Sequence, residues 1–277
     1  MGILLALTGA TLPSVGELLN NLKQLVELDR ACGIEFVGRG APTPVTTSVV
    51  VPRAAVRASV PAAALNTHEP RPNLVLSGLA AADLTTIAEA VSRCRACKLC
   101  STRTKTVPGE GAATPELVFV GEGPGAEEDA AGRPFVGAAG QLLDRMITAM
   151  GFAREQVFIA NVVKCRPPGN RNPEPDEVAA CLPFLETQLA TLKPKVICTL
   201  GNVPLRALMG ADTPGITKVR GQRLSWRGVV LIPTFHPSYL LRNDEAKKPA
   251  WDDLKQVLAV LGRPPPARGA PAPIPGG

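Results

Sequence analysis

Cys94, Cys97 and Cys100 stand three residues apart, too close for a disulfide framework and at a spacing typical of metal ligands. Cys165 and Cys181 follow, separated by 15 residues, and complete a set of thiols that can close a site only if the fold gathers the segments. Four thiolates suit tetrahedral zinc or a [4Fe–4S] cluster equally, and spacing does not decide between them. The bland alternative is surface thiol chemistry at Cys94 and Cys97 with Cys165 and Cys181 as buried apolar residues. Cys100 competes for ligand status, while Cys32 and Cys198 read as small apolar residues, Cys198 in the middle of a strand.

Other chemistry-bearing residues sit in loops. Gly121-Glu-Gly-Pro-Gly-Ala-Glu-Glu-Asp129 follows an apolar run, so backbone amides can approach a ligand there. A dinucleotide site is disfavoured, because Pro124 interrupts the fingerprint, three acids follow, and the next strand ends in Asn161 instead of an acid. Phe135, in Gly132-Arg-Pro-Phe-Val-Gly137, is either a plate for stacking on a flat base or an ordinary core residue. Asn161 offers a donor and an acceptor to the edge of a base, or else serves as a turn residue or cap. His236, in His236-Pro-Ser-Tyr-Leu-Leu-Arg242, is the only histidine of the central region, and its place at a strand end beside Pro, Ser and Arg favours function over packing.

These loops need a scaffold. Apolar runs at 116–121, 157–161, 195–200 and 229–235 read as strands, alternating with helices at about 138–150, 174–192, 202–209 and 249–261, with Gly151 and Gly210 as stops. The alternation predicts an α/β fold, a three-layer α/β/α sandwich around a mainly parallel four-stranded sheet. Domain organisation is read as an N-terminal helical extension (1–38, with an amphipathic helix at 14–30), a Pro/Ala-rich linker (39–79), a folded domain (80–262) and a Pro-rich tail (263–277) expected to be disordered. Proline and glycine, 54 of the 277 residues, are densest in the tail, where they make up nine of 15, so the folded part is shorter than the chain.

A formal charge of +6 and a pI near 9.1 suit a polyanionic partner without requiring one. No apolar run approaches the roughly 18 residues needed to span a bilayer. No Lys or Arg precedes Lys23, so the charged start of a secretory signal is missing, and a reducing cytoplasmic location is expected.

Taken together, Cys94-x-x-Cys97, GEGPGAEED, GRPFVG, Asn161 before Val-Val-Lys-Cys165-Arg-Pro-Pro, Thr217-Lys-Val-Arg-Gly221 and His236-Pro-Ser-Tyr-Leu-Leu-Arg242 resemble the family 4 uracil-DNA glycosylases. These are cluster-containing repair enzymes of the uracil-DNA glycosylase superfamily, and the resemblance spans about 85–262. It implies a monofunctional hydrolase that cleaves the N-glycosidic bond of deoxyuridine in single- and double-stranded DNA, leaving an abasic site for base excision repair. Cys94, Cys97, Cys165 and Cys181 would then hold one structural [4Fe–4S] cluster, with Cys100 an extra. Phe135 would stack on the flipped uracil, Asn161 would read its Watson–Crick edge, and Glu122 and Gly123 would line the pocket. Glu128 would crowd the position of a thymine methyl, and His236 would hydrogen-bond uracil O2. Leu240 would wedge the duplex, with Arg220, Ser238 and Arg242 on phosphates.

The family's best-known relatives carry Asp-Pro-Tyr where this chain has Gly123-Pro-Gly125, so Glu122 is the candidate for orienting water. U·G pairs and single strands are expected to react at least as readily as U·A, since a mispaired base costs less to flip. The expected partner is uracil-containing DNA. The protein is expected to be monomeric, with no membrane association, and the N-terminal extension or tail is open to a replication or repair partner.

Rival readings differ at specific residues. A relative that stays attached to uracil carries an Arg-Arg-Ile-His-type loop where this chain has Arg166-Pro-Pro-Gly-Asn-Arg-Asn-Pro173, which lacks histidine. The Glu-containing first motif resembles family 4 more than family 5. A catalytically weak cluster-bearing sensor need not keep Glu122, Phe135, Asn161 and His236 together, and a zinc module would be colourless where an iron–sulfur protein is brown.

Overall fold

The computed structural model describes residues 83–266. The helix expected at 14–30, the linker, Cys32 and most of the tail lie outside the described residues. Elements are numbered from the first described one.

Helix α1 (Leu84–Arg93) starts at Asp83, whose carboxylate accepts from the Thr86 amide at 2.7 Å. It leads into a 3₁₀ turn (Lys98–Ser101). Then come β1 (Glu110–Gly111), β2 (Leu117–Gly121), α2 (Ala126–Ala131), α3 (Ala138–Ala149), β3 (Phe158–Asn161), α4 (Pro175–Leu192), β4 (Val196–Leu200) and α5 (Asn202–Met209). The described chain closes with α6 (Ile216–Val219), β5 (Leu224–Trp226), β6 (Val229–Thr234), α7 (Pro237–Leu240) and α8 (Lys247–Val260).

The sheet order is β1-β3-β2-β4-β6-β5. The four central strands are parallel, and β1 and β5 are antiparallel edges. The expected four parallel strands are therefore present within a residue or so of their expected bounds, and the α/β sandwich stands. Both faces of β2, β3 and β4 are buried, as is β6 beyond its first two residues, which is why the strands read as unbroken apolar runs. Val118, Val120, Ala160 and Ile197 pack under α1, α4 and α5, whereas Leu117, Phe119, Ile159 and Cys198 pack under α3 and α8. Cys198 is thus core, as read.

From β2 the chain passes to β3 on one side and then to β4 on the other, so a crevice opens at the carboxyl ends of β2 and β4, where open α/β sheets bind ligands. Among the described residues no helix is long and apolar enough to cross a membrane.

Candidate active site and thiol cavity

At that carboxyl edge Gly121 of β2 lies in register with Asn161 of β3. Asn161 is 1% exposed, and its Oδ1 has no hydrogen-bond partner, an expensive state for a buried acceptor unless a ligand supplies the donor. A Cβ at position 121 would lie 2.4 Å from that Oδ1 and 2.6 Å from the Phe135 ring. Glycine is what lets the amide and the ring share one space.

Phe135 is held there under strain, with φ at +51°, a region a bulky side chain rarely occupies. Arg154 grips the loop from one side, donating to the Pro134 carbonyl at 2.6 Å and the Phe135 carbonyl at 3.3 Å, while pairing with Glu110 at 2.7 Å and Asp144 at 2.5 Å. Glu128 grips it from the other, accepting from the Val136 and Gly137 amides at 2.9 and 3.0 Å, with its second oxygen taking the Gly125 amide at 3.0 Å. Glu128 also lines the cleft, so it ties the glycine-rich turn to the Phe135 loop. Arg154 was not singled out in the sequence, where nothing local links it to Glu110 or to Phe135.

His236 caps α7 from beyond β6. Its Nδ1 accepts from the Ser238 amide at 3.1 Å and lies 2.7 Å from the Ser238 hydroxyl. A backbone amide only donates, so Nδ1 is the acceptor and the neutral ring carries its proton on Nε2. The ring centroid is 5.7 Å from that of Phe135. Burial, reinforced by the Arg242 charge and opposed by Glu128, lowers the His236 pKa to about 4. Two outcomes follow. His236 stays neutral from pH 8 to 5, so on its account activity is flat across that range in single-turnover assays. Between 6.5 and about 4 the unfolded chain binds the proton and the folded one resists it, so stability falls with pH through that window by at most roughly 3 kcal/mol. Urea unfolding of wild type against His236→Gln at pH 7 and 4.5 reads the difference.

One expected DNA contact is corrected, at Leu240, and two others, Arg220 and Ser238, are found in contacts within the protein. Leu240 is 2% exposed, packed with Leu142, Ala246 and Ala250, and is a core residue instead of a wedge; Tyr239 and Leu241, 41% and 43% exposed, are the apolar side chains presented beside the cleft. Arg220 is committed to Asp253, with contacts of 3.0 and 2.8 Å, to the Pro249 carbonyl, and to the face of Phe235. Its Nε and Nη2 are engaged in these contacts, which leaves only Nη1 for the phosphate the resemblance implies. Ser238, also expected on a phosphate, instead orients His236 through its hydroxyl. Arg242 is exposed at the cleft mouth, and Glu122, Gly123, Glu128, Phe135, Asn161 and His236 all line the same cleft. Burial raises the Glu122 pKa.

On the opposite side of β3, Cys94 at the end of α1, Cys97 and Cys100 of the 3₁₀ turn, Cys165 beyond β3 and Cys181 of α4 line a second cavity. Donors point at these sulfurs: the Lys164 amide lies 3.2 Å from Cys181 Sγ and the Arg103 guanidinium 3.1 Å from Cys165 Sγ. Among the described residues no three His, Cys, Asp or Glu side chains are gathered around a point for a single ion. Burial raises the Cys165 thiol pKa and pushes Cys181 up to about 12, so thiolates here need a cationic partner.

Residues 108–255 match the model of the uracil DNA glycosylase superfamily. The type-4 uracil-DNA glycosylase of Sulfurisphaera tokodaii is 47% identical over 186 residues, covering 64% of this chain and 84% of that protein. That of Thermotoga maritima is 49% identical over 178 residues, covering 63% and 93%. A type-5 uracil-DNA glycosylase of Pyrobaculum aerophilum is 29% identical over 154 residues, covering 49% and 67%. On the family match and the level of identity to the type-4 proteins, the chain belongs to the uracil DNA glycosylase superfamily, in its type-4 branch.

Proposed function

We propose that this protein is a repair hydrolase that cleaves the N-glycosidic bond of deoxyuridine in DNA, releasing uracil and leaving an abasic site. The observation that carries the reading to this substrate is the buried, unpartnered Asn161 Oδ1 beside the Phe135 ring. An acceptor there takes the N3–H of uracil while the amide nitrogen donates to O4. Cytosine has no N3–H and presents an amine at position 4, so it leaves both groups mismatched. The flipped base stacks on Phe135, and its O2 accepts from His236 Nε2–H. As the glycosidic bond breaks, its electron pair goes to the base, and the fixed imidazole donor stabilises the uracil anion as it forms. Water adds to C1′ of the oxocarbenium sugar and loses its proton. Glu122, a base strengthened by burial, is assigned to orient that water, and an unchanged single-turnover rate in Glu122→Gln would remove it from the scheme. Gly123 lines the pocket through its backbone, and Arg242 takes a phosphate.

The deciding assay uses anaerobically purified protein and labelled oligonucleotides with one uracil, single-stranded or opposite guanine or adenine, followed by alkali. Alkali-dependent cleavage at uracil is expected; intact strands would move the protein to a binding or sensing role. U·G and single strands are expected to react at least as fast as U·A. With Leu240 buried, Leu241 is the side chain placed to fill the gap a flipped base leaves. Leu241→Ala is expected to slow U·A duplex excision about tenfold while sparing single strands, the unstacking cost being a few kcal/mol only in the duplex. Equal slowing of both substrates would count against the assignment.

We assign one [4Fe–4S] cluster to Cys94, Cys97, Cys165 and Cys181. Support comes from thiols of four segments on one cavity and from N–H donors aimed at two of the sulfurs. Bound there, the cluster would tie α1, the β3–α4 connection and α4 together; the hydrolysis itself moves no electrons. Cys181→Ala is expected to lose iron and to lower Tm by on the order of 10 °C, whereas Cys100→Ala keeps its iron. Iron content and visible absorbance read both, and zinc in place of iron would overturn the assignment. Residues 80–262 are read as the catalytic domain of a cytoplasmic monomer, with the flanking segments left for a repair or replication partner.

A further inference from the structure

Lys164 lines the thiol cavity, and its side chain reaches the backbone of Asn161, which lines the cleft. Lys164 is 1% exposed, and among the described residues no carboxylate pairs with it. Burying an ammonium without a counter-ion is costly unless its donors are well placed. Its Nζ donates to the backbone carbonyl of Asn161 at 2.9 Å and to Gln188 Oε1 at 2.6 Å. Gln188, 2% exposed, lies two turns beyond Cys181 on α4, and its amide nitrogen donates to the Pro108 carbonyl at 2.7 Å. Lys164 is also held by its own backbone: its amide meets Cys181 Sγ at 3.2 Å, and its carbonyl accepts from Val107 at 2.8 Å. Asn161 is the last residue of β3, where the ladder to β2 ends and a carbonyl needs another anchor. The aim of the Asn161 amide depends on that peptide plane.

We propose that Lys164 and Gln188 form a buried strut that fixes Asn161 against the cysteine-bearing helix, making both of them positioning residues for uracil recognition. The inference rests on the uracil-excision reading and adds the means by which the thiol cavity reaches the base pocket. It also accounts for a buried lysine whose side chain lines neither the sheet core nor the DNA face. Removing either end of the Lys164–Gln188 bond frees the same peptide, so the two changes are expected to act as one.

The test compares wild type, Lys164→Met, Gln188→Leu and the double variant in single-turnover excision from U·G duplexes. Binding to a duplex with an abasic site, which offers Asn161 no base to read, serves as the control, with iron content and visible spectrum alongside. Each single variant is expected to lose about tenfold in excision rate, in the range typical of groups that orient a site residue, and the double variant to lose no more than the slower single. Abasic-site affinity and iron should stay at wild-type levels. Gln188→Glu keeps the acceptor for Lys164 but gives up the donor to the Pro108 carbonyl, so it is expected to lose less than Gln188→Leu, and it covers the case in which Gln188→Leu fails to fold. Active wild type with both single variants at its rate, or losses that multiply in the double variant, would overturn the strut. So would abasic-site affinity or iron falling in step with excision. Inactive iron-loaded wild type would instead sink the reading beneath it.

Discussion

His236→Ala is expected to slow single-turnover excision of uracil from a U·G duplex by about a thousandfold, the upper range for deleting one preorganised donor at a developing anion. The size follows from the geometry. Nδ1 is occupied by the Ser238 amide and hydroxyl, so the ring cannot turn, and Nε2–H is fixed before the base arrives. The donor is neutral at working pH, because burial and Arg242 keep the proton off. Its hydrogen bond therefore gains most as charge reaches O2 in the transition state, and little in the bound ground state. Duplex affinity is expected to change less than twofold, since Arg242 and the exposed Tyr239–Leu241 surface are untouched. Rapid-quench rates beside equilibrium binding separate the two effects, and a loss below tenfold would remove His236 from the chemistry.

Asn161→Asp is expected to shift the base preference from uracil toward cytosine. A carboxylate only accepts, so it takes the N4 amine of cytosine and repels O4 of uracil. Uracil excision is expected to fall by two to three orders of magnitude, a loss of about 3–4 kcal/mol, made of a missing donor and an acceptor facing an acceptor in a buried site. Slow but measurable excision of cytosine opposite an abasic site or mismatch accompanies it. Unchanged uracil excision would show that another group reads the base edge.

The scaffold was legible because its strands are buried on both faces, so 117–121, 158–161, 196–200 and 229–234 stand out as apolar runs between glycines and charges. Strands β1 and β5, two and three residues long, carry no period to read. The loop residues facing the cleft were legible from their chemistry and their place at strand ends. What escaped was anything decided by a partner distant in sequence. Leu240 is exposed or buried according to Leu142, Ala246 and Ala250, and Arg220 is free or engaged according to Asp253. Arg154 serves the site through carbonyls of the Phe135 loop and Lys164 through that of Asn161, and a backbone acceptor leaves no mark on side-chain pattern.

Asn161 and His236 leave the sheet from β3 and β6, the outer members of the four parallel strands, three strand spacings or about 14 Å apart at the backbone. A pocket assembled across that span exists only after every intervening strand has found its register. Parallel pairings of this kind close long loops and form late. During refolding, excision should therefore return with the slowest phase, after helical signal and collapse are complete. A chain caught partway has not yet brought Asn161 and His236 to one cleft, so excision is expected only from the finished sheet.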